Sequence, residues 1–219
     1  MKIVSMIPIR GGSKGIPLKA LALLNDKPLM DYAIETAKRT TAKDVWVVTD
    51  HEGIKNHAIE LGCKVLDEPA TMATDVSSIE DVMMYFTNNV EYDIIVLLQI
   101  TSPLMKKESI DNAIYNLITH LDEHDSAMSV VDTAKNDILL WDSKESKPLN
   151  YNPLNRMTRK YRERRYYIET GQFYITTRKA FLKTKCRIGK KVLFQPVSYW
   201  TMPEIDSPED LIMIEKLMK

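Results

Sequence analysis

The chain has 219 residues, 44% of them hydrophobic, and its 30 Lys and Arg side chains balance 30 Asp and Glu. That is enough to bury one large core, and zero net charge leaves no broad field for nucleic acid or a membrane surface, so small molecules or a second copy of the chain are the expected partners. Cys63 and Cys186 lie far apart without metal-ligand spacing, which excludes a disulfide framework and a zinc site; with no signal-like or membrane-length apolar stretch, reduced thiols and a cytoplasmic location are expected.

The apolar run Lys2 to Ile9 reads as a first strand, and Pro28 to Arg39, with Leu29, Tyr32, Ala33, Ile34 and Ala37 at helical spacing, as a first helix. Val45 to Asp50 predicts a second strand and His51 to Leu61 a helix stopped at Gly62. Lys64 to Leu66 follows as a short strand, Ser77 to Asn89 as a helix capped by Ser77, and Tyr92 to Leu98 as a strongly apolar strand. Glu108 to Leu121 continues as helix and Ala127 to Val131 as strand. This alternation is best satisfied by a mainly parallel α/β sheet with helices on both faces, whose ligand sites lie at the carboxyl ends of the strands. After Val131 the pattern breaks: Ile138 to Trp141, a polar stretch and the basic run Arg156 to Arg165 read as an insertion or arm over about 132–165, within a single domain of residues 1–219. Tyr166 to Ile175 restores strand character, Arg178 to Lys183 is helical, and Val192 to Val197 is apolar again. Ser207, Pro208, Glu209 and Asp210 form the start of a last helix to Met218, with Ser at the N-cap and Pro at N1.

The chemistry concentrates after the first strand. Residues 7–19 read Ile-Pro-Ile-Arg-Gly-Gly-Ser-Lys-Gly-Ile-Pro-Leu-Lys, and three of the chain's seven glycines fall there. Gly11, Gly12 and Gly15 let backbone N–H groups approach an anion, Arg10, Lys14 and Lys19 add charge, Ser13 adds a hydroxyl, and Pro17 restricts the loop. The spacing is neither the dinucleotide fingerprint nor a P-loop, so a different phosphate cradle, or simply a solvated basic turn, is implied. Glu204 and Asp206, two apart ahead of the last helix, can aim two carboxylates to one side in an extended segment, a donor pair suited to Mg²⁺ or to capping that helix. Gln99 and Ser102 follow the apolar strand at its carboxyl end, as site residues or as solvent-facing loop polars.

The loop, Leu97-Leu98-Gln99-Ile100-Thr101-Ser102-Pro103-Leu104, Glu169-Thr170-Gly171 and Glu204-Ile205-Asp206 occur in one order over nearly the whole chain. Together they resemble the acylneuraminate cytidylyltransferases, which make CMP-sialic acid and related CMP-nonulosonates. The resemblance implies a Rossmann-like nucleotidyltransferase fold with a dimerisation arm, a homodimer, and Mg²⁺-dependent activation of a nonulosonic acid sugar by CTP with release of pyrophosphate. It assigns Arg10, Gly11, Gly12, Ser13, Lys14, Lys19 and Ser78 to the nucleotide, with Arg10, Lys19 and Asp206 as catalytic groups and Glu204 and Asp206 as metal ligands. Gln99, Thr101, Ser102, Glu169, Thr170 and one of Arg159 and Arg162 fall to the sugar; a structural ion pair of a buried Glu169 with an Arg is the alternative there.

The chain departs from the family pattern at several points. Glu68 stands where the family usually has an arginine near the cytosine ring, Ala20 where an asparagine is common, Glu204 in place of an Asp, and Ile100 in place of a Pro. An ionised Glu68 has no proton to offer O2 or N3, but it can accept from the N4 amino group. These departures keep two other readings in play: a nucleotidyltransferase for another base or an eight-carbon keto acid, and a silent nucleotide-binding homologue. The Gly-Gly-Ser-Lys-Gly form of the loop counts against the enzymes of the eight-carbon acid.

Overall fold

The computed structural model describes residues 1–69, 72, 77–133, 138–156 and 166–219. In chain order it contains β1 (Ile3–Pro8), the hairpin β2 (Leu23–Leu24) and β3 (Lys27–Pro28), α1 (Leu29–Lys38), β4 (Asp44–Thr49), α2 (Glu52–Glu60), β5 (Lys64–Asp67), α3 (Ile79–Asn89) and β6 (Ile94–Leu98). These are followed by α4 (Lys107–Thr119), β7 (Ser126–Asp132), the hairpin β8 (Trp141–Asp142) and β9 (Lys147–Pro148), β10 (Tyr167–Thr177), α5 (Arg178–Thr184), β11 (Val192–Pro196) and α6 (Pro208–Leu217).

Seven strands form one sheet in the order β11-β7-β10-β6-β1-β4-β5. All neighbouring pairs are parallel except those of β10, which runs antiparallel to both β6 and β7. The mainly parallel sheet expected from the alternation is therefore present. The reversed strand has a consequence for function: its start, at Glu169–Gly171, comes to the same edge as the carboxyl ends of β1, β4, β5 and β6. Chain connection reverses direction at β1, which has β4 on one side and β6 on the other, so the loop after β1 emerges at the switch point where open α/β sheets bind ligands.

Alternating strand residues supply two apolar faces. On one, Ile7, Val47, Val96 and Phe173 pack with Met30 and Ile34 of α1, Ile54 of α2 and Ile110 and Leu117 of α4. On the other, Met6, Ile95 and Leu97 meet Val82, Met83 and Phe86 of α3 and Phe181 of α5. β6 is buried at every position, which explains its uninterrupted Ile-Ile-Val-Leu-Leu run. A third, smaller cluster joins Ile16, Leu24, Leu29, Ile205 and Ile214. It docks the start of α6 and the segment before it onto the loop after β1, bringing the two ends of the chain into one site.

Local details correct the sequence expectations. Ser78, not Ser77, caps α3: its hydroxyl accepts the Asp81 N–H, and the Asp81 carboxylate accepts the Ser78 N–H in return. α4 starts at Lys107 and ends at Thr119, two residues short of Leu121, and β10 runs on to Thr177. The hairpin β2–β3 was not anticipated; Asn25 and Asp26 take φ of 47° and 60°, as a two-residue turn of this kind requires. Ser207 caps α6 with Pro208 at N1, as read from the sequence. Of the arm, residues 138–156 are described; they form the hairpin β8–β9, with the exposed Trp141 ring edge-on to Tyr151.

Candidate active site

The glycine loop is fixed from behind by the end of β4. Gly11 N–H donates to the Asp50 carboxylate at 2.7 Å, and the His51 ring lies so close that a Cβ on Gly11 would sit 2.8 Å from it. His51 is held in turn by α2, whose Gly53 and Ile54 N–H groups donate to its Nδ1 at 3.1 and 3.4 Å. Gly15 abuts the backbone carbonyl of Asp206 so tightly that any Cβ would overlap the oxygen. By contrast, a Cβ on Gly12 meets nothing within 4 Å.

Lys19 closes the arrangement. Its side chain is largely buried, and Nζ donates to the Ile205 carbonyl at 2.8 Å and to Asp206 Oδ1 at 2.7 Å. The segment 204–206 is also pinned from β6, because Ile205 N–H donates to the Thr101 carbonyl at 2.8 Å. Asp206 and the loop are thus joined by a backbone contact, an ion pair and the third apolar cluster.

Above the loop lies a cavity of about 370 Å³. Its wall is made of Pro8, Ile9, Arg10, Ser13, Lys19 and Ala20 from the end of β1 and its loop, Glu68, Met72, Ser77, Ser78, Ile79 and Val82 from the stretch running from the end of β5 into α3, and Gln99, Ile100 and Thr101 after β6. Apolar walls with a few placed polar groups and two cations suit a nucleotide. Gly11, Gly12 and Lys14 belong to the same loop without being part of the wall. Glu68 is 7% exposed, and its N–H donates to the Thr49 carbonyl, which fixes it just beyond β5. Burial raises its carboxyl above the ordinary value, the Asp50 charge adds to this, and Arg10 opposes it.

A second cluster sits beside the cavity. The buried Ser102 hydroxyl donates to Glu204 Oε1 at 3.1 Å. Gly171, at φ +69° in the bulge of β10, packs on that same carboxylate, so a side chain there would both strain the backbone and displace Glu204, and Gln99 Nε2 lies 3.6 Å from where a Cβ would be. Burial raises the Glu204 carboxyl; the Ser102 hydroxyl and Lys19 lower it, and the Asp206 charge raises it further. Glu204 and Asp206 are thus near enough to feel one another, as the extended segment predicts, although in this structure Glu204 is turned to Ser102 and Asp206 to Lys19.

Two of the sugar-side residues are placed differently from the rest. Glu169 is exposed rather than buried, and among the described residues its partner is the Tyr174 hydroxyl, which donates to its carboxylate because the bulge brings residues 169 and 174 to one face. Burial, followed by that carboxylate, raises the Tyr174 phenol. Thr170 is buried and its hydroxyl donates to Ser129 Oγ on β7 at 2.8 Å, which turns it toward the sheet. Ser129 also accepts the Phe173 N–H at 3.3 Å, filling the irregularity in the ladder. Arg159 and Arg162 lie outside the described residues.

The sequence points to Arg10, Ser13, Lys19, Ser78, Gln99 and Thr101, which the structure brings together at the cavity, and to Ser102, Glu204 and Asp206, which it places beside it. Its reading missed Asp50 and His51 as the support of the loop, although a Thr-Asp-His sequence at the carboxyl end of an apolar strand was a signal. It also missed that Gly171 is the member of its motif that touches the cluster.

The family model described as Cytidylyltransferase matches residues 4–213. N-acylneuraminate cytidylyltransferase B of Danio rerio is 29% identical over 206 residues, 91% of this chain and 46% of that protein. A 3-deoxy-manno-octulosonate cytidylyltransferase of Bdellovibrio bacteriovorus is 38% identical over 112 residues, 51% of this chain and 44% of that protein. The solved structure of CMP:2-keto-3-deoxy-manno-octonic acid synthetase complexed with CTP matches with a TM-score of 0.76 at 20% identity, covering 100% of this chain and 98% of that one, a likeness of fold. The chain spans about half the length of the curated relatives it matches. No helix among the described residues is long and apolar enough to cross a membrane. With a glycine loop at the switch point, a nucleotide-sized cavity above it and a family model covering all but the two ends, this chain belongs to the cytidylyltransferase family.

Proposed function

We propose that the chain transfers the cytidylyl group of CTP to an acidic α-keto sugar of the nonulosonate class. The observation that carries this reading is Lys19, which lines the nucleotide cavity and reaches the carboxylate of Asp206 at its rim. One cation therefore joins the phosphate end of the cavity to an acidic pair. The sugar's anomeric oxygen attacks the α-phosphorus in line; the bond from that phosphorus to the bridging oxygen of pyrophosphate breaks, and the hydroxyl proton leaves to solvent. Arg10, Lys19, Ser13 and the loop N–H groups offset the charge that gathers on the phosphoryl oxygens. Gln99 and Thr101, just after β6, line the cavity toward the acceptor, and the buried Ser102 holds Glu204 behind them.

Glu204 and Asp206 offer hard carboxylate oxygens of the kind Mg²⁺ takes. Asp206 Oδ1 is engaged by Lys19 and Glu204 Oε1 by Ser102, so the two carboxylates would hold a metal through their remaining oxygens, where it would supply charge neutralisation of the triphosphate.

The local match to the Bdellovibrio enzyme favours a second acceptor, the eight-carbon acid of its name. Nucleotide choice is checked by thermal shift with CTP, UTP, GTP and ATP, each with and without Mg²⁺. At about 100 times Kd, a nucleotide that binds only the folded chain stabilises it by about 2.7 kcal/mol, which raises Tm by about 5–10 °C at this size. CTP with Mg²⁺ is expected to give the largest rise; a rise with a purine triphosphate and none with CTP contradicts the reading.

A further inference from the structure

We propose that Glu68 selects the nucleobase, its carboxylate accepting a hydrogen bond from the exocyclic amino group of cytosine and repelling the carbonyl oxygen that uracil carries at the same position. The inference rests on the reading that CTP enters the cavity above the glycine loop, and it assigns the discriminating contact within that cavity.

The placement carries it. Among the described residues lining the cavity, Glu68 is the one carboxylate, and the segments around it also bring the apolar Ala20, Met72, Ile79 and Val82 and the hydroxylic Ser77 and Ser78 to the wall. It is 7% exposed and anchored through its own backbone to the end of β4, so its position does not depend on a long free arm. Ser78, on the same wall, has its hydroxyl proton committed: it donates to Asp81 Oδ2 at 2.7 Å while accepting the Asp81 N–H. To donate to a base, that hydroxyl would have to give up its bond to Asp81 Oδ2, although it would still accept the Asp81 N–H. A carboxylate accepts and does not donate, so it pairs with an amino group and leaves a carbonyl facing another acceptor. Cytosine and uracil are nearly isosteric but have inverted hydrogen-bonding at N3 and the 4-substituent, so a single acceptor facing the 4-substituent is enough to tell them apart. A carboxylate accepting from the cytosine amino group is the pairing seen where proteins read cytosine in nucleic acids.

The rival role for Glu68 is positioning. Arg10 is close enough to lower its carboxyl, so Glu68 could serve to orient that guanidinium toward the phosphates. The two roles separate in one experiment. Relative kcat/KM for CTP and UTP is measured for the wild type, Glu68→Gln and Glu68→Asp, with Kd for both nucleotides from thermal shift in parallel, and folding of each variant checked by its melting curve without nucleotide. The wild type is expected to favour CTP by about 10- to 100-fold. In Glu68→Gln, whose amide both accepts and donates, the ratio falls to within about threefold of unity, chiefly through KM. Glu68→Asp keeps the sign of the preference, because it keeps an acceptor-only group.

A Glu68→Gln variant whose CTP-to-UTP ratio equals that of the wild type overturns the inference. So does an equal loss with both nucleotides, which is the signature of a residue that only orients Arg10. If Glu68→Gln does not fold, Glu68→Asp decides: a reversed or abolished preference in a folded Glu68→Asp protein contradicts the assignment. A wild type that binds CTP over UTP yet forms no sugar nucleotide refutes the proposed reaction while leaving the base contact supported by the Kd ratio. A wild type stabilised by neither nucleotide refutes both.

Discussion

Replacing Lys19 by methionine is expected to lower kcat for pyrophosphate release from CTP by about 10²- to 10³-fold, the range for loss of one oriented donor at a site of developing charge. Stability should change little. The ion pair it breaks has an exposed partner, with the Asp206 side chain 71% accessible, and pairs of that kind are worth about 0–1 kcal/mol. Methionine also keeps most of the buried stem length that packs beside the loop. A melting temperature within a few degrees of the wild type, together with a steep loss of kcat, is the expected pattern. A variant that melts much earlier yet retains its turnover would show Lys19 to be a structural tie between the chain's two ends and nothing more.

Gly15→Ala should do the opposite, striking stability and activity together. A methyl at residue 15 overlaps the Asp206 carbonyl, a backbone atom held by the contacts of the third apolar cluster, so the clash is relieved only if the loop or the 204–206 segment moves. Overpacking of this type costs about 1–3 kcal/mol, or about 2–12 °C in Tm for a chain of this length. Because Lys19 and Asp206 meet across the same contact, the displacement separates them as well. Gly12→Ala is the matched control: its Cβ meets nothing within 4 Å, and its melting temperature should stay near that of the wild type. Differential scanning of the two variants beside their CTP turnover tests the pair. Equal melting temperatures for the two would refute the claim that Gly15 is a contact glycine.

Much of this was legible in the residues because the physics behind it is local. The apolar run of β6 and the helical spacing in α1 announce burial directly, and Ser207-Pro208 announces the start of α6 by capping alone. The glycine loop was readable for the same reason: few other structures need three glycines and three cations within ten residues. What could not be read was relational. Nothing within Tyr167–Thr177 says that β10 runs antiparallel between β6 and β7, yet that reversal brings Gly171 to Glu204. The bulge that exposes Glu169 and turns Thr170 to Ser129 depends on pairing with β7, 44 residues away in sequence by the Ser129–Phe173 contact. Ser77 and Ser78 are equivalent cap candidates until the helix start is fixed, and the Asp81 carboxylate decides between them.

Glu68 shows both sides of this limit. As a departure from a family pattern it was visible in the sequence, but a lone Glu before a Pro carries no sign of burial. Only the fold places it 7% exposed in the wall that faces the triphosphate loop. The proposed roles then fall to different wall segments: Arg10 and Lys19 with the acidic pair for the phosphates, Glu68 for the base, and Gln99 and Thr101 after β6 for the sugar.

The measurement that tests this division most directly is product formation from CTP and Mg²⁺ with a nonulosonic acid and, in parallel, with the eight-carbon keto acid, following pyrophosphate and the CMP-sugar together. The account predicts equimolar pyrophosphate and CMP-nonulosonate, with slower turnover of the eight-carbon acid. Pyrophosphate release that is independent of any keto-acid sugar, or no product from either acid by a chain that binds CTP, would contradict it.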